Sequence, residues 1–283
     1  MANIFETGTT KLYQAQIQEW VAQGATFFVG HSAGKDSQAM YAVISSMVPA
    51  DQIVVVHADL PGVEWAGVQD HINANIDHDL NVVQGMYKDG SAKGLLDKIE
   101  NNAIRLRDKG SDANFWPARG AQYCTGELKV DPIWKFIRNH DAKIAINCVG
   151  IRAQESGERA KKSPLTENKK NSNSVREAYD FYPIFDISEE RVWEIIEQSG
   201  QKRHFAYDQG NTRLSCLFCV FGNANDWNNA IEAGNMDLYK KMVDLEKKYG
   251  KTIKQGQNIE EWVGVKADAV DPLAIPSFLK RSA

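Results

Sequence analysis

The stretch ATFFVGHSAGKDSQAMYAVISSMV, residues 25–48, decides the fold of this chain. Its start, ATFFVG, is a short apolar run of the kind found in buried strands, and DSQAMYAVISSMV has the apolar spacing of a helix. Between them, HSAGKDS combines small residues with Lys35. A strand, a small-residue loop and a helix together form the unit from which parallel α/β sheets are built. A loop in that position lies where anions bind at helix N-termini.

More strand and helix patterns follow in alternation. QIVVVHAD (52–59), LNVVQG (80–85) and KIAINCVGI (143–151) have strand patterns. Helices are predicted at 11–23, 36–48, 63–76 and 127–140. This alternation predicts an α/β fold, with a mostly parallel twisted sheet and helices on both faces.

The pattern changes after residue 151. Residues 152–176 hold seven Lys/Arg against three Glu, with many Ser and Asn, which predicts a mobile surface loop. Ser188 is a candidate N-cap for a helix over 188–200, and the helical pattern from about 226 to 249 follows the segment RLSCLFC. The tail 251–283 predicts a loosely ordered extension. We therefore predict a nucleotide-binding domain over 1–200 and a cysteine-bearing, largely helical C-terminal extension over 201–283.

Composition narrows the class of protein. The 283 residues are 43% apolar and 25% charged, which suits an α/β domain with an appendage. The sequence has no signal-peptide pattern and no apolar run of membrane-spanning length, and its four cysteines are too few for a disulfide scaffold. We therefore expect a reduced, cytoplasmic protein without a membrane partner. The net charge of −4 argues against a protein coated in positive charge.

The glycine-and-lysine loop is not a Walker A motif, which requires G-x-x-x-x-G-K-[ST]. Gly30 and Gly34 are one residue too close, and Asp36 stands where Ser or Thr would bind magnesium. A G-x-G-x-x-G motif is also absent from the sequence. Two interpretations remain: a different phosphate-binding loop, or a glycine turn in which Asp36 caps the helix.

In the phosphate interpretation, small side chains let backbone N–H groups approach an anion, and the helix N-terminus adds partial positive charge. Lys35 adds a full charge, and Ser32 and Ser37 offer hydroxyl donors. The candidate phosphate-binding residues are Ser32, Ala33, Gly34, Lys35 and Ser37. Alanine at position 33 would disfavour a positive φ there.

Several segments resemble one known superfamily. SAGKDS resembles the SGGKDS signature of the PP-loop ATP pyrophosphatases, with Ala33 in place of the first glycine. VVVHADLPGVEW, YCTGELKVDPIWKFI, VGIRAQESGER, YPIFDISEERVWEII and RLSCLFC resemble, in order, later segments of its PAPS reductase-like branch. The chain is thus similar to the adenine nucleotide alpha-hydrolase superfamily, and most similar to the ATP pyrophosphatases of bacterial DNA phosphorothioation systems.

The resemblance implies ATP and Mg²⁺ as ligands and assigns roles to particular residues. It implies that Lys35, Asp36 and Arg152 are catalytic, and that Asp59, Arg152 and Arg159 join the loop in binding the nucleotide. Simpler interpretations remain for some of them: Arg159 as a solvated charge, Asp59 as a helix cap, and His31 as a structural histidine rather than a phosphate contact.

The cysteines predict a metal centre. Cys216 and Cys219 form a C-x-x-C pair, and in the resembled branch Cys124 joins such a pair. Three thiolates favour a [4Fe-4S] cluster over structural zinc, which usually takes four protein ligands. The fourth ligand is left open between Cys148 and a non-cysteine group, because Cys148 also fits a small buried residue in a strand. A C-x-x-C without metal is the simpler alternative.

Three functions fit these features. The first is an ATP pyrophosphatase that adenylates an acceptor for sulfur insertion, with a cysteine desulfurase as sulfur donor. DNA is favoured over tRNA as the acceptor, and the basic 152–176 segment is a candidate surface for it. The second is reduction of an adenylyl sulfate, which in the resembled reductases uses a C-terminal nucleophilic cysteine that DPLAIPSFLKRSA lacks. The third is a nucleotide- or cluster-sensing module without catalysis.

Overall fold

The computed structural model describes residues 3–268 and shows an α/β fold. Residues 269–283, the end of the predicted tail, lie outside the described residues. The strands are β1 Thr26–Gly30, β2 Ile53–Ala58, β3 Leu80–Val83, β4 Ile144–Cys148, β5 Leu165–Glu167 and β6 Glu177–Phe181. The helices are α1 Gly8–Leu12, α2 Gln14–Ala22, α3 Lys35–Ser45, α4 Val68–Asn73, α5 Leu95–Asp108, α6 Tyr123–Thr125, α7 Asp131–Asn139, α8 Gly157–Ala160, α9 Glu189–Gln198, α10 Phe205–Asp208, α11 Ala224–Glu232, α12 Met236–Tyr249 and α13 Ile259–Val263.

Contacts divide the chain into two compact units. Unit 1 holds the residues up to Asp59, Ala66–Gln84 and Lys129–His204. Unit 2 holds Leu60–Trp65, Gly85–Leu128 and the described residues from Phe205 onward. The functional division at residue 200 stays a prediction.

Unit 1 contains a six-stranded sheet in the order β3-β2-β1-β4-β6-β5. The first five strands in that order are parallel, and β5 pairs antiparallel with β6 at the edge. The predicted mostly parallel sheet is therefore confirmed. Successive residues of β1 face opposite sides, so that Phe27 and Val29 join one apolar cluster and Phe28 joins another. Burial on both faces explains why the strand sequence is apolar throughout.

Four of the six strands were predicted, and several boundaries differ. The helix predicted over 63–76 begins only at Val68, because Gly67 before it takes a left-handed conformation at φ 74°. The single helical stretch over 226–249 is two helices, interrupted where Gly234 has φ 91°. The prediction that residues 152–176 form a mobile loop was wrong in part, since this segment includes α8 and β5. Three-residue β5 is too short to produce a periodic pattern.

Helix α9 confirms its predicted cap, because the Ser188 side chain accepts a hydrogen bond from the Arg191 backbone N–H. Across residues 3–268 we find no helix that combines the length and apolar character needed to cross a membrane.

Candidate functional site

The sheet of unit 1 has its topological switch point between β1 and β4. From β1 the chain proceeds outward to β2 and β3, whereas β4 and β6 lie on the opposite side. In open parallel sheets, ligands bind in the crevice beyond the carboxyl ends of the two strands at such a point. Gly30 ends β1 and Cys148 ends β4, so residues 31–34 and 149–152 leave the sheet at this crevice.

Ala33 adopts a left-handed backbone in the loop after β1. Its φ is 60° and its side chain is 0% exposed. A non-glycine residue pays about 1–2 kcal/mol for this conformation. The Ala33 N–H donates a hydrogen bond to Nδ1 of His31 at 3.2 Å. The disfavoured conformation is thus maintained by local contacts, as is common at functional sites.

Serine side chains fix the rest of the loop. Oγ of Ser37 donates to the Gly34 carbonyl at 2.8 Å and accepts a hydrogen bond from the Ser32 N–H at 3.1 Å. Helix α3 begins at Lys35, and Gly34 at its N-cap makes no side-chain cap bond. The first amides of an α-helix have no acceptor within the helix, so this end is chemically suited to an anion.

Asp36 lies in the first turn of α3 and is not its N-cap, so the glycine-turn interpretation assigned it the wrong place. Its carboxylate instead accepts a hydrogen bond from Nε of Arg152, with Oδ1 at 2.6 Å. The first turn of α3 is therefore tied to the loop after β4.

Two buried cations lie together at this crevice. Lys35 is 4% exposed and Arg152 is 3% exposed. One carboxylate approaches both of them: Glu189, at the start of α9, lies 3.6 Å from Nζ of Lys35 and 3.8 Å from Nη2 of Arg152. Its side chain is 47% exposed. Buried charges require partners, and here the partners of two cations include a half-exposed carboxylate.

Gly150 brings the second loop against the first. A Cβ atom added at Gly150 would lie 2.9 Å from the Asp36 carbonyl oxygen and 3.2 Å from the Ser37 nitrogen. Real Cβ atoms do not approach backbone atoms so closely. The glycine is therefore required by close backbone contact and not by an unusual φ.

The segment RAQESGER folds back on Arg152. A carboxylate oxygen of Glu155 accepts a hydrogen bond from the Arg152 N–H at 3.0 Å and also pairs with the Arg159 guanidinium. Ser156 caps α8 by accepting from the Arg159 N–H at 3.2 Å. Nη1 of Arg152 donates to Gln154 at 2.9 Å. The spacing of this motif thus serves to hold Arg152, while Arg159 is held by Glu155 and stays partly exposed.

Asp59 follows directly on β2. Its N–H donates to the Val83 carbonyl at 2.9 Å, and its carboxylate accepts a short hydrogen bond from Gln84. The next helix, α4, has Gly67 as its N-cap. Asp59 is therefore not the cap of that helix, and its half-buried carboxylate lies at the carboxyl edge of the sheet.

Unit 1 contains buried histidines, and one of them, His31, contacts the loop after β1. His31 is 1% exposed, and its pKa is lowered to about 3, chiefly by burial and to a smaller extent by charge repulsion from His57 and His71. Burial likewise lowers the pKa of His204 to about 4 and also lowers the pKa of His71. These imidazoles are neutral at physiological pH. His31 is a buried structural histidine that contacts the loop from below.

Three cysteines, Cys124, Cys216 and Cys219, lie in unit 2 and are half-buried thiols. Cys216 packs against the apolar cluster of Leu60, Val63 and Leu128. Cysteine thiolates are preferred ligands of iron–sulfur clusters and zinc. Cys216 combines partial access with apolar neighbours, an environment that suits a thiolate ligand.

The C-x-x-C segment has a fixed, strained backbone. Phe218, between the two cysteines, has φ 52° and is buried against the ring of Trp227 at 5.1 Å. A left-handed φ is an outlier for a bulky residue. The Cys219 carbonyl accepts hydrogen bonds from the Gly222 N–H at 2.8 Å and the Trp227 indole at 3.0 Å. The backbone between and after the two cysteines is therefore held in one defined conformation.

Cys148 is in a different environment. It is the last residue of β4, is 0% exposed and belongs to the apolar core of unit 1. Burial raises its pKa well above the usual range of a thiol. A buried, protonated thiol behaves as a small apolar residue. This environment favours the non-cysteine alternative for a fourth ligand.

Some residues of the crevice were not singled out from the sequence. Gly150, Gln154 and Glu189 are there because loops distant in sequence meet, and only Gly150 carried a signal, since it begins the arginine motif. His31 was noted without a definite role. Its position directly after β1 places its side chain beneath the loop.

The amino-acid sequence matches one family model and one curated relative. The model of the family described as "Phosphoadenosine phosphosulfate reductase domain" matches residues 26–221, which is more than half of the chain. An uncharacterised protein of Methanocaldococcus jannaschii is 29% identical over 146 residues, covering 49% of this chain and 27% of that protein. The chain thus spans about a quarter of the length of that curated relative.

The solved structures that match this chain share little sequence with it. Phosphoadenylyl-sulfate reductase from Candida auris, in a phosphate complex, is 13% identical with a TM-score of 0.45, over 71% of this chain and 86% of the other. FMN adenylyltransferase from Candida glabrata in complex with ATP is 15% identical with a TM-score of 0.44, over 75% and 60%. The U34-tRNA thiolase NcsA from Methanococcus maripaludis, with its [4Fe-4S] cluster, is 13% identical with a TM-score of 0.40, over 95% and 89%.

Proposed function

The chain belongs to the phosphoadenosine phosphosulfate reductase domain family, and from this premise we propose that it is an ATP pyrophosphatase serving sulfur transfer. It binds ATP at the crevice of unit 1, adenylates an acceptor and releases pyrophosphate. The acceptor is a phosphate of the DNA backbone, which is thereby prepared for phosphorothioate modification. A cysteine desulfurase supplies the sulfur.

One observation carries the ATP-binding proposal: two buried cations, Lys35 and Arg152, lie at the N-terminus of α3 beside a strained small-residue loop. Polyphosphate binding requires concentrated positive charge and backbone N–H groups. Lys35 and Arg152 together can stabilise charge that develops on the pyrophosphate leaving group. The exposed Glu189 carboxylate would be displaced by a phosphate, which makes stronger contacts with both cations.

The remaining roles follow from position. Ser32, Ala33, Gly34 and Ser37 shape the loop around the phosphates, and Asp36 holds Arg152 in place. Mg²⁺ enters with the phosphates, because it binds through them and only one or two carboxylates. Asp36 and Asp59 are carboxylates at this edge of the sheet. Arg159 supports Arg152 through Glu155.

The reaction has two displacements. An oxygen of the acceptor attacks the α-phosphorus, the bond from that phosphorus to the bridging oxygen breaks, and pyrophosphate leaves with the electron pair. A thiol reductant releases the sulfur from the desulfurase persulfide as sulfide and is itself oxidised to a disulfide. The sulfide attacks the activated acceptor phosphorus, the bond to the AMP oxygen breaks, and AMP leaves with the electron pair. The lysines of the basic segment, at 161, 162, 169 and 170, are exposed and supply positive charge that attracts the DNA backbone.

In this proposal Cys124, Cys216 and Cys219 hold a [4Fe-4S] cluster. Such a cluster supplies sulfide binding or electron transfer when it is bound. The chain's own contribution is a rigid C-x-x-C loop that keeps the two sulfurs at a fixed spacing, through Phe218 and the bonds to the Cys219 carbonyl. The fourth ligand is a group other than Cys148.

Reduction of an adenylyl sulfate is the second candidate, because the matched family takes its description from that activity. It requires a nucleophilic thiolate that attacks sulfur. Cys148 is too deeply buried for that task, and the other three thiols are assigned to the cluster. Sulfuration of tRNA would use the same ATP chemistry with another acceptor.

The test measures pyrophosphate release from ATP by protein purified without oxygen, with iron and acid-labile sulfide assayed on the same sample. We expect release by the native protein, and a fall of about 10²–10³-fold in Lys35→Ala, since a removed charge stabiliser typically costs that much. Lys11→Ala, at an exposed lysine of α1, is the matched control and retains the native rate.

The outcomes separate the candidates. Pyrophosphate release together with ATP-dependent incorporation of labelled sulfide into DNA supports the proposal, whereas incorporation into tRNA alone replaces the acceptor. AMP and sulfite formed from an adenylyl sulfate plus thioredoxin, without pyrophosphate from ATP, establishes the reductase. Binding of ATP with no product at all leaves only a sensing role.

A further inference from the structure

The histidine below the loop makes contacts that the proposed chemistry does not use. Nδ1 of His31 accepts the hydrogen bond of the Ala33 N–H, and the ring lies 6.1 Å from the Tyr41 ring. Nε2 of His31 is buried and has no hydrogen-bond partner among the residues that the structure describes. A buried polar atom without a partner lowers the stability of the fold. A histidine kept here in spite of that cost points to a role for its other ring nitrogen, Nδ1.

Ala33 needs a restraint that glycine would not need. Alanine avoids the left-handed region because its Cβ crowds the backbone, whereas glycine enters it freely. Ala33 is nevertheless found there. The hydrogen bond from its N–H is the side-chain restraint on this residue, and it requires a lone pair on Nδ1 of His31. An imidazole with hydrogen on Nδ1, or an imidazolium, would point a donor at a donor.

We infer that His31 is a positioning residue for the phosphate-binding loop: as a neutral imidazole with its hydrogen on Nε2, it holds Ala33 left-handed so that the following amides face the anion. This inference rests on the proposed binding of ATP at the crevice. It assigns His31 no contact with the nucleotide, since the ring is buried beneath the loop.

We expect the effect of replacing His31 on anion binding to depend on the residue at position 33. His31→Leu removes the acceptor but keeps an apolar side chain of similar size, and His31→Asn restores an acceptor, because Oδ1 of asparagine lies where Nδ1 of histidine lies. In an Ala33→Gly background the restraint loses its purpose, because glycine does not need it.

The experiment measures the dissociation constant of magnesium pyrophosphate for six proteins: the native protein, His31→Leu and His31→Asn, and the same three in the Ala33→Gly background. With Ala33 present we expect His31→Leu to weaken binding about tenfold or more, and His31→Asn to recover most of that loss. In the Ala33→Gly background, His31→Leu is expected to weaken binding less than about threefold. Comparing ratios within each background removes the effect of Ala33→Gly itself.

An equal loss in both backgrounds overturns the inference, and so does an Asn variant as weak as the Leu variant. Unfolding in urea is measured in parallel, because a purely structural role would lower stability without changing the affinity of the folded protein. If the native protein binds neither pyrophosphate nor ATP, the proposed function fails. The ¹⁵N shifts of His31 then still decide the inference: hydrogen on Nε2 at pH 7 supports it, and hydrogen on Nδ1 overturns it.

Discussion

Replacing Gly150 by alanine tests whether the two loops of the crevice are pressed together as closely as the structure shows. The new methyl group would meet the Asp36 carbonyl oxygen at 2.9 Å, the Asp36 carbonyl carbon at 3.0 Å and the Ser37 nitrogen at 3.2 Å. All three are backbone atoms of the first turn of α3, which cannot swing aside as a flexible side chain can. Ordinary contact begins near 3.4 Å.

The loops must therefore separate by roughly half an ångström. Overpacking of this kind costs about 1–3 kcal/mol of unfolding free energy. The same shift moves Arg152 relative to Asp36 and Lys35, and a displacement of about 1 Å at a reacting site costs up to about 10²-fold in rate. We therefore expect Gly150→Ala to lower both the stability and the proposed pyrophosphate release, the latter by about 10–100-fold.

Urea unfolding and pyrophosphate release are measured together, with Gly157→Ala as control. Gly157 lies seven positions further along the same segment, and an added Cβ there has no neighbour within 4 Å. That variant is expected to unfold within about 0.5 kcal/mol of the native protein, as open surface substitutions do. A Gly150→Ala protein with native stability would show that the close contact does not exist and would refute the reasoning.

Three further predictions concern the core, the histidines and a helix cap. Cys148→Ala is expected to lower the unfolding free energy by about 1 kcal/mol through the small cavity it leaves and to keep the native iron content, measured by elemental analysis; lost iron would make Cys148 a ligand. In the folded protein the pKa of His31 is about 3 and that of His204 about 4, both below the unfolded value of 6.5. The stability that these neutral histidines contribute is therefore fully present above pH 6.5 and is lost as the pH falls toward the folded pKa values. Urea titrations at pH 6.5 and 5 should therefore differ by up to about 2 kcal/mol per buried histidine, with a smaller difference in His31→Asn, and equal midpoints would contradict this. Ser188→Ala removes the cap of α9 and should cost about 1 kcal/mol in thermal or urea unfolding, whereas Ser174→Ala, at an exposed serine, should cost nothing.

The sequence predicted the elements whose pattern is long and local. β1 and β2 were found from apolar runs, and the cap at Ser188 from a serine before a helical period. Such signals depend on neighbours along the chain, because side-chain periodicity and capping act over a few residues. β5 was missed because three residues carry no period, and its pairing with β6 depends on a tertiary contact.

The candidate site divides in the same way. Lys35, Asp36 and Arg152 were proposed from their motifs, but the sequence left open whether Asp36 caps a helix. Only the folded chain pairs Asp36 with Arg152, which is 116 positions away, and brings Glu189 to both cations.

By itself, the sequence determined the alternation of the first four strands with helices and which residue types stand at the ends of those strands, because these are set by local pattern and chemistry. The tertiary structure alone decided three features: the left-handed Ala33 above His31, the contact of Gly150 with the first turn of α3, and the burial of Cys148. The last two depend on atoms that become neighbours only when parallel strands align their carboxyl ends and close the core around them. The first joins residues only two positions apart, but a left-handed alanine is not a local preference, so the pattern of the sequence did not predict it.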